Sequence, residues 1–358
     1  MSIKCYYANV QSIANKWTDI KHEIDRNNFK ILGFTESWCR DETNEELSIT
    51  NFQMFRKDRI MQRGGGTLLY IHESIGTAIE LLPQDGATDD SIWIKLNKPK
   101  GDKWIIALVY RSPSSPMENN LKLLENIKYI LREHKPTHFM LFGDFNLPSI
   151  NWETGTCPEG EDSMSSRFLE ATKDSFLFQH VTGSTRFRGT QQSRLDLIFT
   201  NEEEMIDSIE KESPPGKSDH VALKWNFIVK GKLKSEPKIH ERFHFTKGNY
   251  EAIRQELDGI DWESILRNET VENQWTIFKK KINQLSELHI PKKKNNRKNS
   301  TPWCNKELKR ELKRKNTEFH KFRRSGSQVD YSAYVRQRNA TCNLNQSLRK
   351  KIRKKING

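Results

Sequence analysis

The chain has 358 residues, enough to bury a sizeable core, and a formal net charge of +13. Its five cysteines (Cys5, Cys39, Cys157, Cys304 and Cys342) are scattered and contain no Cys-x-x-Cys pair, which argues against a disulfide framework or a zinc knuckle. The first residues lack the apolar core of a signal peptide and no apolar run reaches membrane-spanning length, so a reduced, intracellular protein with no membrane partner is expected.

Ile3 to Ala8 reads as a β-strand ending at Asn9, and Ile13, Trp17, Ile20 and Ile24 then recur at helical spacing. Lys30 to Thr35 is a second strand, ending at Glu36. Thr67 to Ile71 follows Gly64-Gly65-Gly66, a hairpin turn rather than a phosphate cradle because no helix N-terminus follows. Ser91 to Leu96 alternates apolar and polar, and Trp104 to Tyr110 is a nearly continuous apolar run suited to a central strand. Leu121, Leu124, Ile127 and Leu131 mark a helix that feeds the strand His138 to Phe142. A helix around Arg167 to Phe178 and strands at Leu195 to Thr200 and Val221 to Val229 complete the body. Helices alternate with strands, yet several strands are consecutive hairpins, which favours mixed sheets with helices packed outside.

Near residue 230 the character changes. Residues 1–230 carry 28 Lys and Arg against 33 Asp and Glu, residues 231–290 carry 10 of each, and residues 291–358 carry 22 against 4. Three regions are therefore expected: a catalytic body over 1–230, a linker with a helical segment over 231–290, and a basic helical nucleic-acid-binding extension over 291–358. Lys232 to His244 reads as linker, Tyr250 to Leu288 has helical periodicity, and Pro291 to Lys298 reads as a basic loop. Asn305 is placed to cap a helix bearing Leu308, Leu312, Phe319 and Phe322, which Ser325-Gly326 ends, and a second basic helix runs from Tyr331. These helices are expected to bury little on their own. The competing reading of the tail is a solvated, disordered arm.

The polar residues at strand ends carry the chemistry. Gly143-Asp144-Phe145-Asn146 delivers a carboxylate and an amide side by side at a carboxyl end, where Asp144 can accept a proton or hold a water. Read alone the tetrapeptide is equally a strand end with an Asx turn. Strand alternation sets Asn146 on the same side. Asn9, Glu36, Asp144, Asn146, Asp196 and the pair Asp219-His220 all lie at or just beyond apolar runs, so a two-sheet structure would gather them at one rim. Glu36 is the hard oxygen ligand that Mg²⁺ prefers, and Asn9 and Asp219 could help to hold the ion. His220, paired with a buried Asp196, would keep its proton and face a phosphoryl oxygen, and Tyr110 could donate to the same oxygens. Each residue alone also has an ordinary reading as a turn, a solvated carboxylate or a structural histidine. Their convergence points to a metal-dependent phosphoesterase. Arg186 and Arg188, flanking Phe187, and the pair Ser193-Arg194 are candidates for a DNA backbone, as are Lys292, Lys293 and Lys294 in the tail.

Tyr7-Ala8-Asn9-Val10-Gln11-Ser12, Thr35-Glu36-Ser37-Trp38, Val109-Tyr110-Arg111-Ser112-Pro113, Gly143 to Asn146, Ser193 to Phe199 and Ser218-Asp219-His220 occur in the order of the endonuclease/exonuclease/phosphatase superfamily. Over roughly residues 3–229 the chain resembles the apurinic-type endonuclease domain of LINE-type (non-LTR) retrotransposons, to which Phe55 to Arg59 and Arg63 to Gly66 add. The resemblance implies a four-layer α/β sandwich, two mixed β-sheets flanked by helices, here followed by a basic α-helical extension. It also implies Mg²⁺ or Mn²⁺ held by Glu36 with help from Asn9 and Asp219. The positions of Asp144 and Asn146 would orient and deprotonate water, while those of His220, Asp196 and Tyr110 would serve the phosphate. Ile290-Pro291 and Thr301 to Asn305 resemble the connector that precedes a reverse transcriptase in these elements. No Tyr/Phe-x-Asp-Asp motif follows, so a fragment of the element's second reading frame is expected. The implied function is nicking of target DNA to leave a 3′-hydroxyl for reverse transcription, in the nucleus, with DNA as substrate, element RNA as a further partner of the tail, and no small-molecule cofactor. The competing functions are a catalytically silent nucleic-acid-binding remnant and a phosphatase of lipid or inositol head groups.

Overall fold

Strands that are apolar on both faces must be covered on both, and the helices between them supply the outer cover. The computed structural model describes residues 2–39, 47–59, 64–81, 90–97, 102–188, 191–229, 241–267, 269–294 and 303–357. The body begins with β1 (Ser2–Asn9), α1 (Trp17–Arg26), β2 (Ile31–Thr35), β3 (Phe52–Lys57) and β4 (Thr67–His72). It continues with β5 (Ala78–Leu81), β6 (Ser91–Asn97), β7 (Lys103–Tyr110), α2 (Met117–His134), β8 (His138–Asp144) and α3 (Met164–Asp174). The short strands β9 (Phe178–Gln179), β10 (Arg186–Arg188) and β11 (Gln191–Ser193) precede β12 (Asp196–Thr200), β13 (Ile206–Glu212) and β14 (Ala222–Ile228). Then come β15 (Glu241–Phe243), α4 (Tyr250–Asp258), α5 (Trp262–Leu266), α6 (Val271–His289) and β16 (Lys292–Lys294), and finally α7 (Lys306–Ser325) and α8 (Gln328–Asn357).

Two six-stranded sheets form, in the orders β13-β14-β1-β2-β4-β3 and β5-β6-β7-β8-β12-β9. Each is mixed: β1–β2 and β7–β8 are parallel and the other pairs antiparallel. Period-two alternation sorts the side chains into layers. Ile3, Cys5 and Tyr7 of β1 pack between the sheets with Trp225 and Phe227 of β14, Ile106 and Leu108 of β7, and Phe142 of β8. Their chain neighbours Tyr6 and Ala8 turn outward onto Trp17 and Ile20 of α1. Ile105, Ala107, Phe139 and Leu141 turn outward in the second sheet, onto Leu124 and Ile127 of α2 and Phe168 of α3. This is the expected four-layer sandwich, and each large side chain so buried stabilises it by about 1.5–3 kcal/mol.

Several expectations need correction. The edge or near-edge strands β3, β5 and β13 were not foreseen, because edge strands such as Ile206–Glu212 keep many polar residues. α3 starts at Met164 because the Ser163 hydroxyl accepts the Ser166 amide. Lys292–Lys294 is not loop but a strand paired with Glu241–Phe243. The calls on residues 232–240 and 295–302 lie outside the described residues.

Residues 236–298 form a unit of their own, whereas residues 299–358 belong with residues 1–235. In this second part of the body α7 opens on Asn305, whose side chain accepts the Leu308 amide at 2.8 Å, and closes on left-handed Gly326. Leu308, Leu312 and Phe319 of α7 are buried, as is Tyr334 of α8. The helices bury their apolar stripe by seating it on the body. Lys315, in the middle of that stripe, is buried and bonds Asp19 of α1 at 2.9 Å.

Candidate active site

Strands β1, β2, β7 and β8 end, and β12 and β14 begin, at one rim. The register sets Asp144 between Tyr110 and Asp196, and Asn9 beside Thr35. Gly143 permits this arrangement. Its φ is +145°, and a Cβ there would lie 1.8 Å from the Val109 carbonyl oxygen, so no other residue fits.

Asp144 is 1% exposed. Its Oδ1 accepts the Asn146 amide at 3.2 Å, and its Oδ2 accepts from Asn9 Nδ2 at 2.8 Å. The Asx-turn reading and the water-handling reading therefore use different oxygens of one carboxylate. Burial, reinforced by Asp196, pushes Asp144 up to about 7 against the pull of His220 and Asn9. Asn146 has φ +50°, so the chain has left the strand and alternation does not place it. Its Nδ2 donates to the Arg111 carbonyl at 2.8 Å instead.

Asp196 is wholly buried and accepts from Tyr7 Oη at Oδ1 and from His220 Nδ1 at Oδ2, each at 2.8 Å. The Thr185 hydroxyl accepts both the Leu195 and Asp196 amides at 3.1 Å, which fixes the strand start. With Nδ1 committed to Asp196, Nε2 of His220 faces Asp219 Oδ1 at 3.8 Å and Asp144 Oδ2 at 4.0 Å. Burial pulls the imidazolium down, but Asp196, Asp144 and Asp219 outweigh it and push His220 up to about 9.

Among the described residues Asp144, Asp196 and His220 form a buried group whose ligand atoms lie within 4.8 Å of one another, and such a group could hold a metal ion. His220 and Asp196 are, however, better accounted for as an ion pair. Open donor capacity lies beside them. Asn9 Oδ1 is buried without a hydrogen-bond partner, and the carboxylates of Glu36 and Asp219 are partly exposed. This is a hard, oxygen-rich donor set of the kind a divalent cation takes. Glu36 stands at φ +55°, a conformation costing about 1–3 kcal/mol that marks functional positions. Its oxygens accept from Tyr110 Oη at 2.9 Å and Trp38 Nε1 at 2.8 Å. Burial and Glu36 raise the Tyr110 phenol well above its ordinary range. Asp219 accepts from Gln11 at 2.7 Å and Arg186 at 2.9 Å, and these partners with His220 hold it below its ordinary value although burial opposes them.

The structure thus brings together Asn9, Glu36, Tyr110, Asp144, Asp196, Asp219 and His220. Of the candidate DNA contacts in the body, Arg186 reaches this group, through Asp219 and a backbone bridge to His220. Ser193 pairs with Arg186 in the β10–β11 hairpin, and Arg188 lies at its exposed tip. Arg194 is engaged by Glu153 and the Gly183 carbonyl. Lys292 stacks over Phe243 at 5.5 Å, while the side chains of Lys293 and Lys294 lie outside the described residues.

Sequence reasoning assigned no role to Tyr7, Thr185, Gln11 or Arg111. Arg111 is nearly buried and donates to the carbonyls of Phe145 and Asn146 at 3.3 and 3.1 Å, locking the loop after Asp144. A phenol at an inward position of a strand otherwise filled with apolar groups was the one available signal for Tyr7, since a buried hydroxyl needs a partner.

Residues 104–224 match the protein family described as Endonuclease-reverse transcriptase. No curated protein matches the chain. Among solved structures it is similar to the endonuclease domain of TRAS1, a telomere-specific non-LTR retrotransposon, with 17% identity and a TM-score of 0.50 over 64% of this chain and 100% of that one. It is also similar to the AP endonuclease LMAP from Leishmania major, at 12% identity and a TM-score of 0.52 over 64% of this chain and 88% of that one. A 3′ phosphatase from Neisseria, bound to product DNA hairpin, aligns at 16% identity and a TM-score of 0.50 over 63% of this chain and 100% of its own. No helix among the described residues is long and apolar enough to cross a membrane.

Proposed function

We propose that the chain is a divalent-metal-dependent DNA endonuclease of the endonuclease/exonuclease/phosphatase superfamily that nicks target DNA for a non-LTR retrotransposon, a reading supported by the family match over residues 104–224 and by the shared fold. One observation carries the reading: the His220 imidazole, held by Asp196 at 2.8 Å, stands 4.0 Å from the buried Asp144 carboxylate. Such a pair offers a base for water and a cation for the phosphoryl group within one site.

Glu36, Asn9 Oδ1 and Asp219 would hold the ion, Mg²⁺ or Mn²⁺. When bound, it neutralises charge on the phosphoryl and leaving oxygens. Asp144 Oδ2 accepts a proton from the attacking water as the water oxygen bonds to phosphorus. His220 Nε2 donates a hydrogen bond to a non-bridging oxygen, and Asp196 keeps that nitrogen protonated and aimed. The phosphorus–O3′ bond breaks, and the 3′-oxygen takes up a proton from solvent to become a 3′-hydroxyl that can prime reverse transcription, leaving a 5′-phosphate. Tyr110, donating to Glu36, orients that carboxylate. DNA is favoured over a lipid or inositol head group because Arg186 and the hairpin that carries it adjoin Asp219.

The test is nicking of supercoiled plasmid with Mg²⁺ by the wild type, Glu36→Ala and His220→Ala. Loss of about 100-fold or more in each variant is expected from removing a principal charge in the site. Equal nicking by all three proteins refutes the assignment.

A further inference from the structure

Beyond the candidate active site, α7 and the body enclose a cleft of about 840 Å³. One wall is Gly183 and Lys211 of the body; the other is His320, Arg323 and Arg324, from the last turns of α7. His320 is paired with Glu212 at 3.0 Å. Among the described residues no carboxylate lines the cleft, and none pairs with Lys211, Arg323 or Arg324. Among the described residues the Lys211 ammonium donates to the carbonyls of Thr182 and Ser184. Burial lowers Lys211 to about 8, with Arg323 and Arg194 pressing in the same direction. Three cationic side chains thus share one cleft without a counter-charge, which costs free energy until an anion enters.

The position of the cleft identifies the anion. Arg323 stacks over the Phe187 ring at 5.5 Å, and the Phe187 amide donates to the Asp219 carbonyl at 2.8 Å. Arg186, the preceding residue, pairs with Asp219 itself. Cations therefore run from the candidate active site through the hairpin base into the cleft. A compact phosphorylated molecule seated at the active site would not reach both ends, whereas a polymer with phosphates at regular intervals would.

We propose that the cleft between the body and the C-terminal end of α7 is a second phosphate-backbone site, in which Lys211, Arg323 and Arg324 grip duplex DNA away from the bond that is cut. The extension, fused to the body through α7, thereby enlarges the DNA footprint of the nuclease. The inference rests on the endonuclease reading of the active site.

The test is binding of a labelled duplex to the full chain without metal, measured by anisotropy across a salt series, alongside steady-state nicking with Mg²⁺. Each lost phosphate contact lowers the slope of log K against log salt by about 0.9, or about 8-fold in affinity at 0.1 M salt on extrapolation from 1 M. Arg323→Gln/Arg324→Gln should therefore reduce the slope by roughly 2 and weaken binding by roughly 60-fold, with KM raised and kcat kept. Arg323→Lys/Arg324→Lys should restore the slope, which separates charge from a folding defect, and Lys211→Gln should lower it independently. Unchanged slope and affinity in the Gln variants overturn the proposal. Failure of the endonuclease reading would show instead in the wild type, as absence of nicking.

Discussion

The seat of α7 on the body gives the sharpest stability prediction. Lys315 is buried, bonding Asp19 Oδ2 at 2.9 Å and the Pro214 carbonyl at 3.1 Å. Burial alone would lower its pKa, yet Asp19 holds it above the ordinary lysine value. The same Asp19 oxygen accepts the Gly216 amide at 2.9 Å. Lys315→Met fills similar volume but strands the Asp19 carboxylate with one neutral donor. Breaking a buried ion pair from one side costs about 3–5 kcal/mol, a large part of the 5–15 kcal/mol that holds a typical domain together. Beside the apolar stripe, the other side-chain hydrogen bonds of α7 to the body, Asn316 on Glu23 and His320 on Glu212, are only partly buried, and exposed charge pairs are worth about 0–1 kcal/mol. The extension should therefore loosen as a unit. Urea unfolding followed by tryptophan fluorescence should lose about 3 kcal/mol or more, and trypsin should release the 303–358 segment early. Because the 214–220 loop also carries Asp219 and His220, nicking should fall as well. Asp19→Asn/Lys315→Met should recover part of the loss, since no buried charge is then left alone. A Lys315→Met protein within about 1 kcal/mol of wild type, with unchanged proteolysis, refutes the reasoning.

Other consequences follow from the site. His220 is raised to about 9, so its contribution to stability is full below its unfolded value near 6.5 and is lost as pH rises through about 9. Asp144 is raised to about 7, so the folded state favours its protonated form and stability falls as pH climbs from about 4 through 7. The metal-free protein should thus lose stability between roughly pH 4 and 9, measured as a falling urea midpoint, and Asp196→Asn should shift the upper limb to lower pH. Mg²⁺ at about 100 times its Kd should stabilise the fold by about 2.7 kcal/mol, and Asn9→Ala should remove most of that gain in a thermal shift. Gly143→Ala should fail to accumulate as folded protein or lose more than about 4 kcal/mol, because its methyl would lie 1.8 Å from the Val109 oxygen; a normal melting curve would contradict this.

Strand ends were legible because the chemistry sits where an apolar run stops, and a run such as Trp104–Tyr110 can be seen without knowing its partners. The polar groups of the candidate site could be collected for the same reason: Glu36, Asp144 and His220 each abut a run that must enter a sheet. What failed was local logic applied past its range. Alternation predicted the side of Asn146, but the left-handed turn after Asp144 removes that residue from the strand geometry. Tyr7 is one more inward residue of β1 until the facing sheet brings Asp196 to its hydroxyl across 189 positions of sequence. Thr185 and Arg111 likewise act through backbone groups that only the fold brings near.

In the extension the helix, its Asn305 cap and its apolar stripe were legible, but not the part played by Lys315. The α7 segment is rich in Lys and Arg, and a lysine in phase with Leu308, Leu312 and Phe319 counts as polar in any hydrophobic pattern. Lys315 inverts that inference. Its charge is satisfied inside the fold by Asp19, so it acts as an anchor and belongs to the buried stripe. The remaining charges of α7 then divide by face. Those at the buried face hold the helix on the body, whereas Arg323 and Arg324 meet no carboxylate among the described residues and border a cleft that has none. A uniformly basic sequence thus resolves into two functions once the helix phase is known: one lysine spent on folding, and a pair of arginines left free for a polyanion.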